Sequence, residues 1–251
     1  MAEDVSAFST AREGGVGTGA YAGFNITHYC GDTELNVQHN RKLLCKHLGI
    51  ADDALILPRQ THGTEVLCID EQFLSLSAEE RIGCLHAVDS VVTDVAQVCI
   101  GVSTADCVPV LLYDAVKRVV AAVHAGWRGT VGRIAERTLA AMKERYGTDA
   151  CNVKAVIGPS ISLEAFEVGD EVYDAFAAVA FPMEMIARKI GEKWHIDLWE
   201  ANRLQLLACG VKPSAIEVSG ICTYNNVENF FSARRLGVES GRIFNGIILK
   251  K

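Results

Sequence analysis

Short runs of apolar and β-branched residues recur along the chain, and most are bounded by Gly, Pro or Asp. Runs of about four to eight such residues are typical of buried strands. The clearest is Val119 to Val123, an almost wholly apolar segment of the kind that fits a strand buried on both faces. The pattern predicts strands at Ala54–Leu57, Thr64–Asp70, Ala87–Thr93, Val98–Thr104, Val108–Asp114, Val119–His124, Val153–Ile157, Ile216–Gly220 and Gly246–Leu249.

Apolar residues recur near helical spacing in four other segments, and glycines mark where three of them end. These segments predict helices at Asn36–Leu48, Thr130–Tyr146, Asp170–Val179 and Leu198–Cys209. Gly49, Gly147 and Gly210 follow the first, second and fourth helix, as expected for glycine at a helix C-terminus.

The order of these elements bears on the fold class. Strands outnumber helices, and two or three consecutive strands often occur without a helix between them. This order favours an α+β domain with a mixed sheet over a doubly wound parallel sheet, in which strands and helices alternate. The chain has five prolines and shows no linker, low-complexity tract or fixed-period repeat. We therefore predict a single domain over residues 1–251.

Composition and charge narrow the possible partners. With 49% hydrophobic and 22% charged residues, this is an ordinary globular composition, and the net charge of −7 argues against a nucleic-acid or anionic-membrane partner. No segment approaches the roughly 18 uninterrupted apolar residues of a membrane span. The acidic start "MAEDVSAF" lacks the features of a secretory signal. We therefore expect a cytoplasmic protein without nucleic-acid or membrane partners, and its oligomeric state stays open.

The nine cysteines, an odd number without a CxxC pair, indicate reduced thiols rather than a disulfide framework. Most lie in apolar, strand-like runs, where a free cysteine acts as a small hydrophobic residue. We interpret six as core residues, namely Cys45, Cys68, Cys84, Cys99, Cys151 and Cys209, whereas the roles of Cys30 and Cys222 stay open.

Three short segments at strand ends carry residues with metal-binding or nucleophilic chemistry. They are "LPRQTHGTEV" with His62, "STADCVPVLLYD" with Cys107 and "RVVAAVHAGWRGTVGR" with His124. A catalytic metal needs a few imidazole or thiolate ligands and at least one open position. Two histidines and a cysteine supply three ligands suited to zinc, with copper or iron as alternatives. The segments therefore predict a metal site formed by His62, Cys107 and His124.

The same residues allow a second interpretation. Cys107 and His124 also suit a nucleophile–base pair of a cysteine hydrolase, with Asp106 or Asp89 orienting the imidazole. The sequence does not distinguish a thiolate ligand from a thiolate nucleophile. We interpret the remaining histidines as structural or surface residues, namely His28, His39, His47, His86 and His195.

Five motifs resemble one known family. "HAGWRG", "TADCVP", "QTHG", "IGPSIS" and "FSARR" together look like the laccase-domain family, which includes bacterial peptidoglycan editing factors and purine nucleoside phosphorylases and whose older label is polyphenol oxidase. The resemblance covers nearly the whole chain, from "FSTAREGGVGTGAYAGFN" to "FSARRLG". It implies a single domain of mixed sheets sandwiched between helices, in α/β/β/α-like layers. It also implies a zinc ion on His62, Cys107 and His124.

The resemblance further implies a reaction. Enzymes of the family carry out phosphorolysis of adenosine, inosine, guanosine and methylthioadenosine, and deamination of adenosine. Phosphate would be the co-substrate of the phosphorolysis, which requires cationic groups to hold it and polar groups for base and sugar. Arg12, Arg59 and Arg128 are candidate anion-binding residues. We expect Cys107, His124 and Arg128 to be catalytic.

Other residues are candidate contacts to the small-molecule substrate. Gln60 and Asp89 suit base or ribose contacts, and Ser160 in "IGPSIS" suits a substrate contact or a helix cap. We also expect one arginine of "FFSARRLG", Arg234 or Arg235, to reach the site. The family often has an aromatic residue where this chain has Ala233, which puts a stacking role there in doubt.

Two other functions stay open. A hydrolase acting on cell-wall precursors with a misincorporated residue would follow from the likeness to peptidoglycan editing factors, with Cys107 as nucleophile. A copper-dependent phenol oxidase would follow from the older family label. It ranks last, because several copper centres require many histidines, and the chain has seven with no HxH pair.

Overall fold

A computed structural model describes residues 4–251, which form 13 β-strands and nine α-helices. The strands are β1 Val5–Ser9, β2 Leu55–Ile56, β3 Val66–Ile69, β4 Ser90–Thr93, β5 Cys99–Thr104, β6 Val108–Asp114, β7 Val119–Ala125, β8 Val153–Ile157, β9 Glu167–Val168, β10 Ala187–Ile190, β11 Lys193–Ile196, β12 Ile216–Val218 and β13 Ile243–Leu249. The helices are α1 Glu34–Leu48, α2 Glu71–Ser75, α3 Ala78–Cys84, α4 Trp127–Val131, α5 Ile134–Tyr146, α6 Asp170–Ala178, α7 Met183–Ile186, α8 Leu198–Ala208 and α9 Ala233–Leu236.

The described strands form three sheets. A six-stranded mixed sheet has the order β12-β8-β6-β7-β4-β3, in which β3 and β12 are parallel to their neighbours. A four-stranded mixed sheet has the order β1-β13-β5-β2. The third sheet is small and antiparallel, with the order β10-β11-β9.

The two larger sheets pack face to face between helices. Along β7, Val120 and Ala122 belong to the core shared with the four-stranded sheet. Val119, Ala121 and Val123 belong to the core on the opposite face, which contains residues of α5 and α8. Side chains alternate between the two faces of a strand, which explains why β7 is buried throughout and is apolar at every position except His124. The outer face of the four-stranded sheet packs on α1, which completes the α/β/β/α layers. The predicted α+β fold with mixed sheets between helices is confirmed.

The nine predicted strands are all present, most of them shorter than predicted. The sequence pattern did not predict β1, β9, β10 or β11, nor α2, α3, α7 and α9, all of which are short. The prediction of one helix over Thr130–Tyr146 was wrong. The structure has α4 and α5 instead, because Arg133 takes a left-handed conformation with φ of 63° and begins a new helix.

All nine cysteines are free thiols, as predicted. Cys45 and Cys99 are core residues, but Cys84 is exposed at the end of α3, so its assignment to the core was wrong. None of the described helices is long and apolar enough to cross a membrane.

Candidate metal centre and adjoining cavity

Three side chains that lie far apart in the sequence meet at one end of the six-stranded sheet. Cys107 immediately precedes β6 and His124 lies near the end of β7. These strands pair antiparallel with Pro109 opposite His124, so the register brings the thiol next to the imidazole. His62 follows β2 in the loop that leads to β3 and supplies a second imidazole.

The donor atoms of His62, Cys107 and His124 form one compact group. One nitrogen of each imidazole and the Cys107 Sγ all lie within 4.8 Å of one another, and the ring centroids of the two histidines are 4.9 Å apart. His124 is 3% exposed, Cys107 is half-buried and His62 is exposed, so the group is accessible from the His62 side. Three protein ligands with an open position are typical of catalytic metal sites. The donor set therefore fits a metal ion.

A fully buried carboxylate, Asp89, holds two of these three residues in place. Its Oδ1 accepts hydrogen bonds from Nδ1 of His124 at 2.7 Å and from the backbone N–H of His62 at 2.9 Å. Its Oδ2 accepts from the backbone N–H groups of Thr61 and Gly63. Since a carboxylate only accepts, Nδ1 of His124 carries the proton and Nε2 is left for a metal. Burial alone would raise the pKa of Asp89, but these hydrogen bonds lower it.

The thiol and the imidazole beside it shift each other's pKa. Burial alone would raise the pKa of Cys107, but the charge of His124 and hydrogen bonds from both imidazoles lower it to about 6. Burial alone would lower the pKa of His124, but Cys107 and Asp89 raise it to about 9. Without a metal, the pair is therefore a thiolate and an imidazolium between these two pKa values.

Backbone conformation shapes the group as well. His62 has φ of 64° and Asp106, the residue before Cys107, has φ of 85°, both in the left-handed region that non-glycine residues seldom adopt. A Cβ at Gly126 would lie 3.0 Å from the Cys107 Sγ and 3.0 Å from Cδ2 of His62. The glycine therefore leaves room for the side chains of Cys107 and His62, which a Cβ would press against.

A cavity of about 330 Å³ opens beside the donor group, close to the lower end of the range for small-molecule sites. Its lining residues come from several loops and strand ends: Tyr29, Gln60, His62, Ser103, Thr104, Ala105, Cys107, His124, Ala233, Val238 and Arg242. A larger groove of about 810 Å³ lies between β1 and α1, but no member of the donor group lines it.

Gln60, a predicted substrate contact, lines this cavity in a fixed orientation. Its Nε2 donates to the carbonyl of Ser103 at 2.8 Å, and its Oε1 accepts from the backbone N–H of Ser103 at 2.7 Å. The hydroxyl of Tyr29 also donates to Oε1, at 3.0 Å. The second N–H of the amide takes part in none of these hydrogen bonds. Burial raises the pKa of the Tyr29 phenol to about 12, so it stays protonated at neutral pH.

Two other predicted contact residues are buried and do not line the cavity. Asp89 lies beneath the donor group with both oxygens engaged, which suits positioning rather than substrate contact. Ser160 is fully buried, donates to the carbonyl of Gly158 and accepts from the indole N–H of Trp199.

The three predicted anion-binding arginines also lie outside the cavity lining. Arg12 donates to the carbonyls of Ala22 and Val227 and stacks on Phe231. Arg59 lines a separate cavity with His28 and His86. Arg128 is exposed, and its guanidinium carbon lies 4.2 Å from the ring centroid of Trp127.

The "FSARR" segment does reach the site, but through its backbone and Ala233. The carboxylate of Asp106 accepts from the backbone N–H of Arg234 at 2.7 Å and from the Thr223 hydroxyl at 2.7 Å. The side chains of Arg234 and Arg235 stack on Phe166 and Tyr224 instead of lining the cavity. The lining residues that sequence reasoning missed include Tyr29, Ser103 and Arg242. Arg242 follows a glycine just before the last strand, and that position alone gave no functional signal.

A family sequence model described as multi-copper polyphenol oxidoreductase laccase matches residues 6–250. The chain belongs to this family. It is similar to a purine nucleoside phosphorylase from Bacteroides thetaiotaomicron, with 48% identity over 250 residues that cover 99% of this chain and 93% of the relative. It is also similar to adenosine deaminase RL5 from an unknown prokaryotic organism, with 45% identity over 99% of this chain and 95% of the relative.

The laccase family assignment extends to the fold. The structure of YlmD from Geobacillus stearothermophilus superposes with a TM-score of 0.92 and 31% sequence identity, over 99% of this chain and 93% of that chain. The resemblance inferred from the five motifs is therefore confirmed.

Proposed function

We propose that this protein is a zinc-dependent purine nucleoside phosphorylase of the cytoplasm. It would convert adenosine, inosine, guanosine or methylthioadenosine with phosphate to the free base and ribose 1-phosphate. The observation that carries the proposal is the His62, Cys107 and His124 group opening on a cavity sized for a small molecule. The names of the two similar proteins, one a phosphorylase and one a deaminase, support an enzyme acting on nucleosides.

The ligand set favours zinc over the copper of the family's description. Zinc accepts mixed imidazole and thiolate ligands, and three protein ligands leave a position for substrate or water. Several copper centres would require several clusters of histidines. Among residues 4–251, the donor group is the one cluster of three or more His, Cys, Asp or Glu residues found within ligating reach, and it contains two of the seven histidines.

The reaction forms a bond from a phosphate oxygen to C1′ while the bond from C1′ to the purine nitrogen breaks. The electron pair of that bond leaves with the purine, which takes up a proton. When bound, the metal would supply a Lewis-acidic centre beside the cavity. The chain's own residues do the positioning: Asp89 fixes the imidazole of His124 and the loop of His62, and Gln60 presents one N–H to the substrate.

Product analysis tests the proposal. Purified protein of known zinc content is incubated with adenosine or inosine, with and without phosphate. We expect free base and ribose 1-phosphate only with phosphate. His124→Ala removes a buried ligand and should abolish both bound zinc and turnover, whereas His39→Ala, on the exposed face of α1, should change neither. Full zinc content in the His124 variant would contradict the metal assignment.

Adenosine deamination is a second candidate activity, favoured by the 45% identity to a protein named adenosine deaminase. Deamination consumes water rather than phosphate. It should therefore yield inosine from adenosine at the same rate with and without phosphate, and the same reactions measure it.

The third candidate is a hydrolase of cell-wall precursors. Asp89 is hydrogen-bonded to His124, whose imidazole lies beside a Cys107 thiol with its pKa lowered to about 6, and this arrangement suits a cysteine nucleophile. The absence of nucleoside turnover by zinc-loaded protein, together with cleavage of precursor peptides by metal-free protein, would favour this function.

A further inference from the structure

The cavity beside the donor group has an unusual charge for this protein. The chain carries a net charge of −7, yet no Asp or Glu occurs among the described residues that line this cavity. Arg242 is the one Lys or Arg in that lining, and Gln60 adds an N–H donor. Arg242 therefore gives this lining a positive charge that no Asp or Glu of the lining offsets, which favours an anionic ligand.

Arg242 is held in place by the loop that precedes β13. Its Nη1 donates to the carbonyls of Ser240 and Gly241, and its Nη2 donates to the carbonyl of Val238 at 2.7 Å. Within residues 4–251, the Nε–H and one N–H of Nη2 have no hydrogen-bond acceptor, and the guanidinium forms no ion pair. The carbonyls fix the side chain without neutralising its charge, so two donors remain for a ligand.

The arginines that the sequence suggested have other surroundings. Arg12 donates to the carbonyls of Ala22 and Val227, and it lies in a separate surface depression beside two carboxylates, Glu13 and Glu228. Arg59 and Arg128 do not line the cavity that contains the donor group. Arg242 is thus the arginine that shares a cavity with His62, Cys107 and His124.

We propose that Arg242 binds the phosphate co-substrate, with its Nε–H and Nη2–H donating to phosphate oxygens. This inference rests on the proposed phosphorylase function. The guanidinium takes part in no bond change. It holds the negative charge of the phosphate in the cavity while a phosphate oxygen attacks C1′, and Val238 and Ala233 supply apolar walls beside it.

The experiment compares Arg242→Met and Arg242→Lys with the wild type. We expect Met to raise the KM for phosphate about 10- to 100-fold, as for loss of hydrogen bonds to a charged group. The KM for inosine and the zinc content should change little. Arg242→Lys retains the positive charge but lacks the planar pair of donors, so its KM for phosphate should lie between those of the wild type and Arg242→Met. Arg188→Met, at an exposed ion pair with Glu164, is the matched control and should match the wild type.

A second experiment separates this inference from the proposed function. Inorganic phosphate is titrated into each zinc-loaded protein in the absence of nucleoside, and calorimetry measures the heat of binding. Phosphate binding by the wild type and its loss in Arg242→Met would support the inference even if no phosphorolysis occurs. Equal phosphate affinity in the wild type and Arg242→Met would overturn it, as would an absence of phosphate binding by the wild type. A rise in the KM values for inosine and phosphate by the same factor in both variants would also overturn it, by indicating a purely structural role for the loop.

Discussion

Asp89 connects the imidazole of one candidate metal ligand, His124, to the backbone of another, His62. Asp89 is fully buried, and its carboxylate accepts four hydrogen bonds. In Asp89→Asn, the amide N–H₂ would replace one carboxylate oxygen and would face N–H groups that had donated to that oxygen. We expect zinc affinity to fall about 10- to 100-fold, as for other residues that orient metal ligands. Competition with a chelator measures this affinity. Asp53→Asn, at an exposed carboxylate, is the control, and equal affinity in both variants would refute the positioning role.

The thiol of Cys107 should show a depressed pKa in the metal-free protein. Its pKa is lowered to about 6, whereas an ordinary cysteine has a value of about 8.5. Alkylation requires the thiolate, so the rate at Cys107 should rise through pH 6 and level off by neutral pH, and it should fall as acid protonates the sulfur. In His124→Ala the rise should move to higher pH. Mass spectrometry of the Cys107 peptide follows the rate, with exposed Cys84 as an internal control for the reagent.

The residues of the site differ in how far the sequence could predict them. The proximity of His62, Cys107 and His124 could be predicted because each is a strong ligand type at the end of an apolar strand. The anion-binding residues could not, because an arginine of any flexible loop can be placed near the site by tertiary packing alone. Arg12 and Arg242 lie on different loops, and only the structure places one of them in the cavity.

The junction between β7 and α4 places Gly126 against two of the candidate metal ligands. Gly126 has φ of −64°, which any residue can adopt, so the cost of Gly126→Ala is steric rather than conformational. The new Cβ would lie 3.0 Å from the Cys107 Sγ and from His62, and both ligands would have to move. We expect weaker zinc binding with a near-normal circular dichroism spectrum. Gly83→Ala in α3, where a Cβ meets nothing within 4 Å, should retain wild-type zinc affinity. Wild-type zinc affinity in Gly126→Ala would contradict this prediction, because it would show that Cys107 and His62 can move aside without weakening the site.

Buried strands were predicted more accurately from the sequence than exposed ones. β5, β6, β7 and β8 were predicted nearly to their ends because they are mostly apolar and mostly buried, with polar residues chiefly near the strand ends. The strands of the small sheet were missed because they are short and carry mostly exposed or half-buried residues, including two lysines in β10 and β11. α3 was missed as well, although Ser77 and Glu80 form a capping box that marks its start.

At the scale of the whole molecule, the site joins the two large sheets. His124 belongs to β7 of the six-stranded sheet, whereas Ala233, Val238 and Arg242 precede β13 at the centre of the four-stranded sheet. The carboxylate of Asp106, the residue before Cys107, accepts a hydrogen bond from the backbone N–H of Arg234 and so holds this C-terminal segment beside the site. Ligands in the cavity would therefore contact residues from both packed layers, and binding should stabilise the fold as a unit.

This coupling predicts that zinc raises the melting temperature of the entire protein. Zinc at 100 times its Kd adds about 2.7 kcal/mol to the free energy of unfolding, which corresponds to an increase of about 5–10 °C for a chain of this size. Binding of zinc to cysteines of the unfolded chain would reduce the shift. Scanning calorimetry with zinc and with a chelator measures it. His124→Ala should melt at the same temperature under both conditions, because its ligand set is incomplete. An equal zinc-dependent shift in that variant would place the stabilising ion somewhere other than His62, Cys107 and His124.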